Sequence, residues 1–542
     1  MSEQAFRFFS LQGRTRILHL SWVAFFISFL VWFNHAPLMS AIREQFGLST
    51  SEVNTLLLLN VALTIPARIL IGMAVDALGP RRVYSLVLVL SGLFCLAFAM
   101  ADSFAQLAVT RFLLGFVGAG FVVGIRLISE WYPAREVGFA EGIYGGWGNF
   151  GAAFAALSLP SVALMFGGDD GWRYAIGSTG VIAILYAGVF YHQVRDTPKG
   201  STYFKPKKGG AMEVTSKGDF LLYCVMNLPL FLALALIIWQ LSPARLGLLG
   251  EFTSYSLYAV VLVMAAMQFL RIWQVNGHVF SQPVPEFDRY PFKQVALLNL
   301  VYMASFGSEL AVVSMLPLFF LDTFDISPLM AGALGGTFAL MNLVARPAGG
   351  DIGERFGRKF TTGLMLLGIC IGYGLMSRID GSWPLPMAVA LVVVCSLFVQ
   401  GACGAVYASV PLVKRRLTGQ VAGMTGAYGN VGGVVFLVVL AVVTLAQFFL
   451  VLGGIAFLIL VMVSVFMEEP GPQTSEVMPD GTVRMIEVPW WTWSPHARTN
   501  PRTCRHSRKG CWSAGASTTT PVASRTTRIA WGRWSRKGRP CA

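Results

Sequence analysis

The sequence predicts an all-α integral membrane protein, built from two related six-helix bundles with two extra hydrophobic helices between them. Of the 542 residues, 55% are hydrophobic and 13% are charged, about half of the ~25% charge typical of a soluble domain. The mean hydropathy is +0.63. Many runs reach the ~20 apolar residues that a membrane-spanning helix needs. This composition excludes a secreted disulfide scaffold, a disordered chain and an ordinary cytosolic enzyme.

Fourteen apolar runs are long enough to span a membrane, and they fall into groups of six, two and six. We expect a bundle at 1–193, a central segment with the extra pair at 194–294, and a second bundle at 295–468. The runs cover 17–39, 52–77, 82–101, 105–130, 138–166 and 173–193, then 219–241 and 255–275, and finally 295–321, 329–350, 361–378, 385–410, 420–446 and 448–467.

The net charge of +14 also fits a membrane protein. Nucleic acid binding is one interpretation of a basic chain, but basic loops are typical of the cytoplasmic side of membrane proteins. Arg7, Arg14 and Arg16 precede the first run, and the other basic loops share their side if the N-terminus is cytoplasmic. The polar, arginine-rich sequence over 469–542 predicts a basic, disordered cytoplasmic tail. We therefore expect both termini in the cytoplasm and no nucleic acid partner.

Two pairs of motifs indicate that the bundles are related. An acid–glycine–arginine loop follows the second run of each bundle, and a glycine–asparagine stripe lies in the fifth. The loop motif of the first half comprises Arg68, Gly72, Asp76, Gly79 and Arg81; it recurs at the same spacing in the second half as Arg346, Gly350, Glu354, Gly357 and Lys359, with Arg358 between the last two. The stripe comprises Gly142, Gly145, Gly148, Asn149 and Gly151; it recurs at the same spacing as Gly423, Gly426, Gly429, Asn430 and Gly432. Two such halves predict a pseudo-two-fold axis, a central cavity and alternating access.

Two arginines stand inside the apolar runs, at equivalent places in the halves. An arginine there costs ~2.5–3.5 kcal/mol on insertion scales. One interpretation is that Arg68 and Arg346 face the central cavity and bind an anion, because a guanidinium offers forked donors that match planar oxyanions. The alternative is structural, through buried carboxylates or snorkelling to the cytoplasmic face. Small glycines let helices approach closely, and Asn149 and Asn430 would add amide donors to the cavity.

The glycine–asparagine stretches at 140–151 and 426–433 resemble the two nitrate signature motifs of the nitrate/nitrite porter family, which includes NarK-type transporters, within the major facilitator superfamily. The resemblance covers residues 17–193 and 295–467. It implies the major facilitator fold with a twelve-helix core. It also implies secondary active transport of nitrate, nitrite or both across the bacterial inner membrane.

The resemblance further implies roles for individual residues. The family's two substrate-binding arginines map onto Arg68 and Arg346. Its aromatic contacts map onto Phe121, Tyr302 and Phe306, with Phe33 as a further candidate. The acid–glycine–arginine loops resemble the superfamily's loop motif, which helps to latch the cytoplasmic side; here the gate residues are Asp76, Arg81, Glu354 and Arg358.

Glu309 raises the question of proton coupling. It shares a helix face with Tyr302 and Phe306 at i, i+4, i+7 spacing, and a carboxylate in mid-membrane is a functional hypothesis by default. It is either a proton-coupling group or the partner of a nearby arginine. Nitrate/proton symport and nitrate/nitrite antiport therefore both remain open. We interpret Arg111 and Arg126 as structural, and His35 is a second titratable candidate.

Other function classes are less consistent with the sequence. A membrane enzyme or sensor is disfavoured because the six histidines are scattered and no His-x-x-His or Cys-x-x-Cys occurs. A major facilitator transporter of an organophosphate or carboxylate would use the arginine pair but has no need of the glycine–asparagine helices. We expect a monomeric transporter of nitrate and nitrite, with protons as an open second ligand, no metal and no cofactor.

Overall fold

The computed structural model describes residues 10–487, apart from 134–135, 202, 204–209, 246, 248, 282–283, 285–288, 327, 441, 470–472 and 478–482. Within these residues the chain forms eighteen α-helices and one pair of short strands. The first bundle contains α1 (Gly13–Phe33), α2 (Met39–Phe46), α3 (Thr50–Ala62), α4 (Thr64–Leu78), α5 (Pro80–Ala99), α6 (Phe104–Leu114), α7 (Gly120–Trp131), α8 (Val137–Phe166) and α9 (Gly171–Gln193).

The remaining helices complete the predicted pattern of two and six. The central pair is α10 (Lys217–Leu241) and α11 (Glu251–Asn276). The second bundle contains α12 (Phe292–Phe324), α13 (Pro328–Leu340), α14 (Asn342–Phe356), α15 (Arg358–Met376), α16 (Leu385–Val413), α17 (Thr418–Leu440) and α18 (Leu445–Phe466). The bundles and the central pair belong to one compact unit, and the all-helical membrane fold is confirmed.

The number of uninterrupted spans differs from the prediction. Across the described chain, 13 helices are long and apolar enough to cross a membrane, against fourteen predicted runs. The run predicted at 329–350 is divided, because α13 and α14 meet at Met341 and neither piece is long enough to span. Leu63 also divides α3 from α4, although Leu59–Leu78 is still one of the 13 spans. Each break lies five residues before a motif arginine, so the interruption is part of the internal repeat.

The loop-motif glycines end the arginine-bearing helices. Gly79 and Gly357 follow α4 and α14 with φ angles of 90° and 97°. A residue with a Cβ rarely adopts such angles, whereas glycine does so readily. The helix that follows each glycine begins at the next residue, Pro80 or Arg358. The sharp turn therefore requires glycine at this position of both motifs.

The two bundles meet through the motif helices. In each case the glycine–asparagine helix of one half packs against the arginine helix of the other, α8 against α14 and α17 against α4. A Cβ at Gly142 would come within 2.5 Å of Pro347 Cα, and one at Gly423 within 2.5 Å of the Arg68 carbonyl oxygen. Glycine is needed at both positions because the backbones approach so closely. Later glycines of the stripes, such as Gly148 and Gly432, contact α1 and α12 of their own halves.

The central pair is attached to the second bundle. Helix α10 packs against α12 and α17, and Tyr428 Oη donates a 2.6 Å hydrogen bond to the Met226 carbonyl oxygen. Glu213, just before α10, pairs with Arg416 at 2.7 Å near the start of α17. Large apolar side chains of α11 are exposed, among them Phe252, Leu262 and Leu270. Such a surface suits contact with lipid.

The segment after α18 contains two antiparallel strands, β1 (Gln473–Val477) and β2 (Val483–Glu487). These ten residues are strand rather than the irregular chain predicted over 469–542. The part of that tail after 487 lies outside the described residues, so its disorder stays a prediction.

Candidate anion-binding site

The structure brings Arg68 and Arg346 to one buried centre between the halves. Arg68 is 1% exposed and Arg346 is 2% exposed. The Phe306 ring lies near both, with its centroid 5.3 Å from the guanidinium carbon of Arg68 and 5.6 Å from that of Arg346. Such burial excludes snorkelling to the membrane surface in this conformer. The two halves therefore contribute one cation each to a shared site.

Arg68 is held by main-chain carbonyl oxygens. Its Nε donates to Gly118 O at 3.2 Å and its Nη1 donates to Gly426 O at 2.6 Å. Within the described ranges, no carboxylate pairs with Arg68 and its Nη2 has no hydrogen-bond acceptor. The charge of Arg68 is therefore uncompensated, and the Nη2 group of its guanidinium remains available as a donor.

Arg346 is paired with a carboxylate. Its Nη2 lies 2.9 Å from Glu309 Oε2, and its Nε donates to Gln400 Oε1 at 3.3 Å. With its amide oxygen turned to the guanidinium, Asn149 accepts from Nη1 and Nη2 at 3.0 and 2.9 Å. Glu309 is fixed on its other side, where Oε1 accepts from Asn342 Nδ2 at 2.7 Å. The ion pair that was one of two interpretations of Glu309 is present in this conformer.

These contacts give the centre a net charge. Two guanidiniums and one carboxylate sum to +1 with Glu309 ionised. A buried net charge is unfavourable unless it is paired. A monovalent anion beside Arg68 would neutralise the centre, whereas a divalent anion would leave it at −1. The charge count thus favours singly charged ligands.

Aromatic rings enclose the two arginines. Tyr302 stacks on Phe306 with centroids 5.0 Å apart, and on the opposite side Phe121 contacts Phe25 at 5.1 Å. Tyr407 joins the two groups, because its ring meets Phe121 edge-on at 4.6 Å and Tyr302 edge-on at 4.9 Å. Ring edges carry partial positive charge. The enclosure is therefore compatible with a flat, weakly hydrated anion.

The stripe glycines make room for the arginines, but the two asparagines act differently. A Cβ at Gly145 would lie 3.5 Å from Arg346 Nη1, and one at Gly426 would lie 3.1 Å from Arg68 Nη1. Asn149 contacts Arg346 directly. Asn430 instead donates to Gly426 O at 3.1 Å, the same carbonyl that Arg68 uses. Asn430 Oδ1 is buried with no hydrogen-bond partner in the part of the chain that the structure describes.

Known proteins match this chain over most of its length. The family model described as Major Facilitator Superfamily matches residues 21–281 and 298–534. The nitrate/nitrite transporter NrtP of Picosynechococcus sp. is 44% identical over 525 residues, covering 89% of this chain and 97% of its own length. The chain belongs to the nitrate/nitrite porters of the major facilitator superfamily.

Other relatives and solved structures agree with this assignment. A nitrate/nitrite transporter NrtP of Nostoc punctiforme is 43% identical to the porter, covering 86% of this chain and 94% of its own length. The high-affinity nitrate transporter 2.3 of Oryza sativa is 27% identical, covering 77% of this chain and 70% of its own length. Two solved structures share the fold. The human organic anion transporter MFSD10 matches with a TM-score of 0.56 and 13% identity, covering 83% of this chain and 100% of its own. The E. coli fucose:proton symporter FucP matches with a TM-score of 0.56 and 10% identity, covering 84% of this chain and 99% of its own.

Two of the four predicted gate residues connect the halves of the porter. Asp76 accepts from the backbone N–H groups of Gly419 and Gln420 at 3.1 and 2.9 Å. Glu354 accepts from the backbone N–H groups of Gly138 and Phe139. Each carboxylate thus caps the N-terminus of the glycine–asparagine helix in the other half, where the helix dipole favours negative charge. We call these two contacts the cytoplasmic latches, for the end at which the basic loops predict the cytoplasm.

The other two gate residues bind within their own halves. Arg81 Nε donates to the Tyr191 carbonyl oxygen at 2.6 Å, and Arg358 Nε donates to the Ala408 carbonyl oxygen at 3.1 Å. These two bonds lie within the halves, but Arg358 also faces Glu141 on α8 of the first half. The gate role of both arginines stays a prediction.

The remaining charged candidates lie away from the anion centre. Arg126 is 3.2 Å from Asp76 and 3.0 Å from Glu130, which agrees with a structural role. Arg111 donates to Asn60 Oδ1 at 2.5 Å and lies beside the buried His35.

Phe33 is the aromatic candidate that the structure places outside the enclosure. It packs on Phe29 and Trp32 with centroids 5.6 and 5.0 Å away. Phe25 takes the place at the site that Phe33 was expected to fill, because its ring meets Phe121.

Besides Phe25, three site residues were missed by the sequence analysis. Gln400, Tyr407 and Asn342 contact the arginines, the aromatic rings or Glu309, yet none belongs to a repeated motif. Gln400 and Tyr407 are seven residues apart in an otherwise apolar run, so they share a helix face. That spacing was a usable signal. No group of three or more His, Cys, Asp or Glu suited to a metal ion occurs among the described residues.

Proposed function

We propose that this porter exchanges nitrate and nitrite across the cell inner membrane by alternating access, with the anion held between Arg68 and Arg346. The observation that carries the proposal is the buried pair of arginines, one from each half, with a single carboxylate between them. Relatives that are 44% and 43% identical are named nitrate/nitrite transporters, which supports these two anions as substrates.

Arg68 is proposed as the main anion contact. Its Nη2 is a free donor, whereas the donors of Arg346 are engaged by Gln400, Asn149 and Glu309. Nitrate is planar and monovalent, so its oxygens fit the fork of a guanidinium. The Phe306 ring, whose centroid lies 5.3 and 5.6 Å from the two guanidinium carbons, would contact the anion and hold it in the plane that both arginines reach.

Exchange follows from the charge of the site. With anion bound, the centre is neutral and can be sealed between the halves at low cost. Without anion, the same sealed centre would carry +1 in a medium where an unpaired charge costs several kcal/mol. The halves therefore change orientation mainly in the loaded state. Nitrate moving one way is balanced by nitrite or nitrate moving the other way.

Nitrate/proton symport is the second candidate, and Glu309 favours it. This carboxylate lies 2.9 Å from Arg346, so a proton on Glu309 would release that guanidinium for the anion. Nitrate is not protonated near neutral pH, so a symporter needs such a titratable group. In this mode one proton binds with each anion and leaves with it on the cytoplasmic side.

Flux measurements with the purified full chain in proteoliposomes separate the two modes. Exchange predicts that external nitrate is taken up only against internal nitrate or nitrite, and that an imposed proton gradient does not concentrate it. Symport predicts accumulation driven by the gradient, abolished in Glu309→Gln while exchange is retained. Fluxes equal to those of protein-free liposomes would contradict both modes. Competition by an organophosphate or a carboxylate, with no effect of nitrite, would support the other transporter class instead.

The proposed orientation places both termini and the latches in the cytoplasm. The basic residues of the N-terminus and of the loops after α4 and α14 lie on one side in this orientation, as the positive-inside rule requires. We propose a monomer, because the paired halves of one chain already supply both arginines. Protease accessibility of the termini in right-side-out vesicles tests the orientation.

A further inference from the structure

Glu141 is a buried carboxyl with no use in the proposed site. It lies near the start of α8, between Gly138 and Gly142, and both of these glycines face α14 across the seam between the halves. The residue is 2% exposed, and neither carboxyl oxygen has a hydrogen-bond partner among the residues that the structure describes. An ionised carboxylate in such surroundings would be strongly unfavourable.

The charges that face Glu141 do not compensate it. From the elements packed against this part of α8, they are Glu354 on α14 and Arg358 at the start of α15. Glu354 accepts backbone N–H groups from Gly138 and Phe139 at the positive end of the α8 dipole, and these contacts favour its ionised form. One guanidinium therefore serves two carboxyl groups at this seam.

The other charged groups near Arg358 do not supply the missing positive charge. Arg358 also faces Glu469, which adds a third carboxyl group. Asp351 is paired with Arg355 at 2.9 Å, so that guanidinium is already engaged. Among these groups, the seam between α8 and α14 thus lacks at least one positive charge if every carboxyl group is ionised.

The equivalent seam between α4 and α17 is balanced. It holds two carboxylates, Asp76 and Glu130, and two guanidiniums, Arg126 and Arg415, joined by contacts of 3.0 to 3.6 Å. When the two stripes are aligned, the position that corresponds to Glu141 is Ala422, so no additional acid is present there. The unbalanced carboxyl group is specific to one half of the gate.

We propose that Glu141 is a proton-binding site of the cytoplasmic gate, occupied while the gate is closed and emptied into the cytoplasm when it opens. The inference rests on the proposed alternation of the two halves. Opening must separate α8 from α14, which admits water to the seam and stabilises the ionised form. Closing expels the water, and Glu141 must take up a proton from the cytoplasm before the seam can be sealed.

The proton makes closure depend on cytoplasmic pH. Because the closed conformer binds one more proton than the open one, raising the pH through the titration range favours opening. The ratio of closed to open conformers then falls by up to about tenfold for each pH unit. This effect alters the rate of the cycle but drives no accumulation, which distinguishes it from symport through Glu309.

Infrared spectroscopy of the purified full chain tests the proposal directly. A protonated carboxyl group has a C=O stretching band that an ionised carboxylate lacks. The wild-type protein at neutral pH, with glutamate selectively labelled with ¹³C, is expected to show a shifted band that disappears in Glu141→Gln. Asp351→Asn is the matched control on the same face of the gate and should leave the band unchanged.

Each outcome of the infrared experiment either supports or overturns the proposed proton on Glu141. A wild-type spectrum without the labelled band would overturn the proposal, and so would a band that persists in Glu141→Gln. If Glu141→Gln does not fold, Glu141→Asp gives the answer, because aspartate carries no label and the protonated band should lose its ¹³C shift. A labelled band that remains in Glu141→Asp would contradict the proposal.

Exchange flux separates this proposal from the proposed function. Wild-type exchange of nitrate for nitrite is expected to change several-fold between pH 6 and 8 on the cytoplasmic side, and Glu141→Gln should exchange at a rate independent of that pH. Exchange with an unchanged pH profile in the variant would refute the role of Glu141 and leave the anion site intact. Lack of any exchange by the wild type would refute the proposed function, while the infrared result would still stand.

Discussion

The two halves of the porter place an arginine at the same point and surround it differently. On α12, Tyr302, Phe306 and Glu309 follow one another at i, i+4 and i+7. On α1, the first helix of the other half, the same spacing holds Phe25, Phe29 and Trp32. Where Glu309 pairs with Arg346, Trp32 donates its indole N–H to the Asn60 carbonyl oxygen at 3.0 Å.

Under the proposed function, this difference lets a duplicated scaffold bind a single anion. Duplication sets the positions of the arginines, the helix breaks and the latches. Divergence at one position places Trp32 in the first half and the carboxylate of Glu309 in the second. The site then carries +1 instead of 0 or +2, and Arg68 becomes the arginine whose charge the ligand must neutralise.

The largest expected effect distinguishes the two arginines. Arg68→Lys should reduce nitrate exchange about 100-fold, because lysine is a point charge without the fork and Arg68 has no other compensating group. Arg346→Lys should reduce it about tenfold, since Glu309 can still pair with the new ammonium. Arg378→Lys, at an exposed position, is the control and should exchange normally. Equal losses at Arg68 and Arg346 would mean that the halves share the anion equally.

Matched glycines provide the next comparison. A Cβ at Gly426 would come within 3.0 Å of Arg68 Cδ, whereas one at Gly145 would keep ordinary contacts of 3.4 and 3.5 Å with Phe121 and Arg346. Gly426→Ala should therefore displace Arg68 and reduce exchange about tenfold, and Gly145→Ala should reduce it less than threefold. Initial rates in proteoliposomes at equal protein content measure both. A larger loss in Gly145→Ala would reverse the assignment of Arg68 as the main contact.

Removing the charge of Glu309 should change both the selectivity and the rate of exchange. Glu309→Gln raises the charge of the centre to +2, so sulfate should compete with nitrate about tenfold better than in the wild type, by Coulomb attraction in a low-dielectric site. Exchange of nitrate for nitrite should slow, because the nitrate-loaded centre of the variant carries +1, the same charge that holds back the empty wild-type carrier. Inhibition curves with sulfate give the measurement. Sulfate inhibition that is unchanged in Glu309→Gln would show that charge balance does not set selectivity.

The smallest expected effect concerns the attachment of the central pair. Tyr428→Phe removes the hydrogen bond to the Met226 carbonyl oxygen, so stability should fall by about 1 kcal/mol. Exchange should stay within twofold of the wild type, because Tyr428 does not contact the arginines. Thermal unfolding in detergent and exchange rates check the two statements. A severe loss of exchange with unchanged stability would assign the central pair a direct part in the cycle.

The sequence was most informative where the two halves repeat one another. Arg68, Arg346, Asp76 and Glu354 were predicted from their spacing, and the structure places the first two in one centre and the last two at the seams. The helix breaks at Leu63 and Met341 were not predicted. Pro66 was a usable signal for the first break, because a proline ring displaces the carbonyl four residues before it. No proline lies within five residues of Met341. A hydrophobicity pattern shows which residues enter the membrane but not where a helix is interrupted.

Side-chain direction was the other information that the sequence lacked. Arg81 and Arg358 were placed correctly in the loops, but the sequence did not show that each donates to a main-chain carbonyl of its own half. Phe33 was a further candidate that the family resemblance implied, but on α1 it is the Phe25 ring that meets Phe121.

Tyr407 is a site residue that the sequence analysis did not identify. It was missed because its role depends on two rings from different helices, Phe121 and Tyr302, which only the folded chain brings together.

A structure of the porter with nitrate bound tests the twin-arginine site most directly. We expect one nitrate ion beside the Phe306 ring, with an oxygen in hydrogen-bond contact with Arg68 Nη2 and the Glu309–Arg346 pair still formed. Nitrate bound outside the space between Arg68 and Arg346, or bound to Arg346 with Glu309 displaced and Arg68 untouched, would contradict the account.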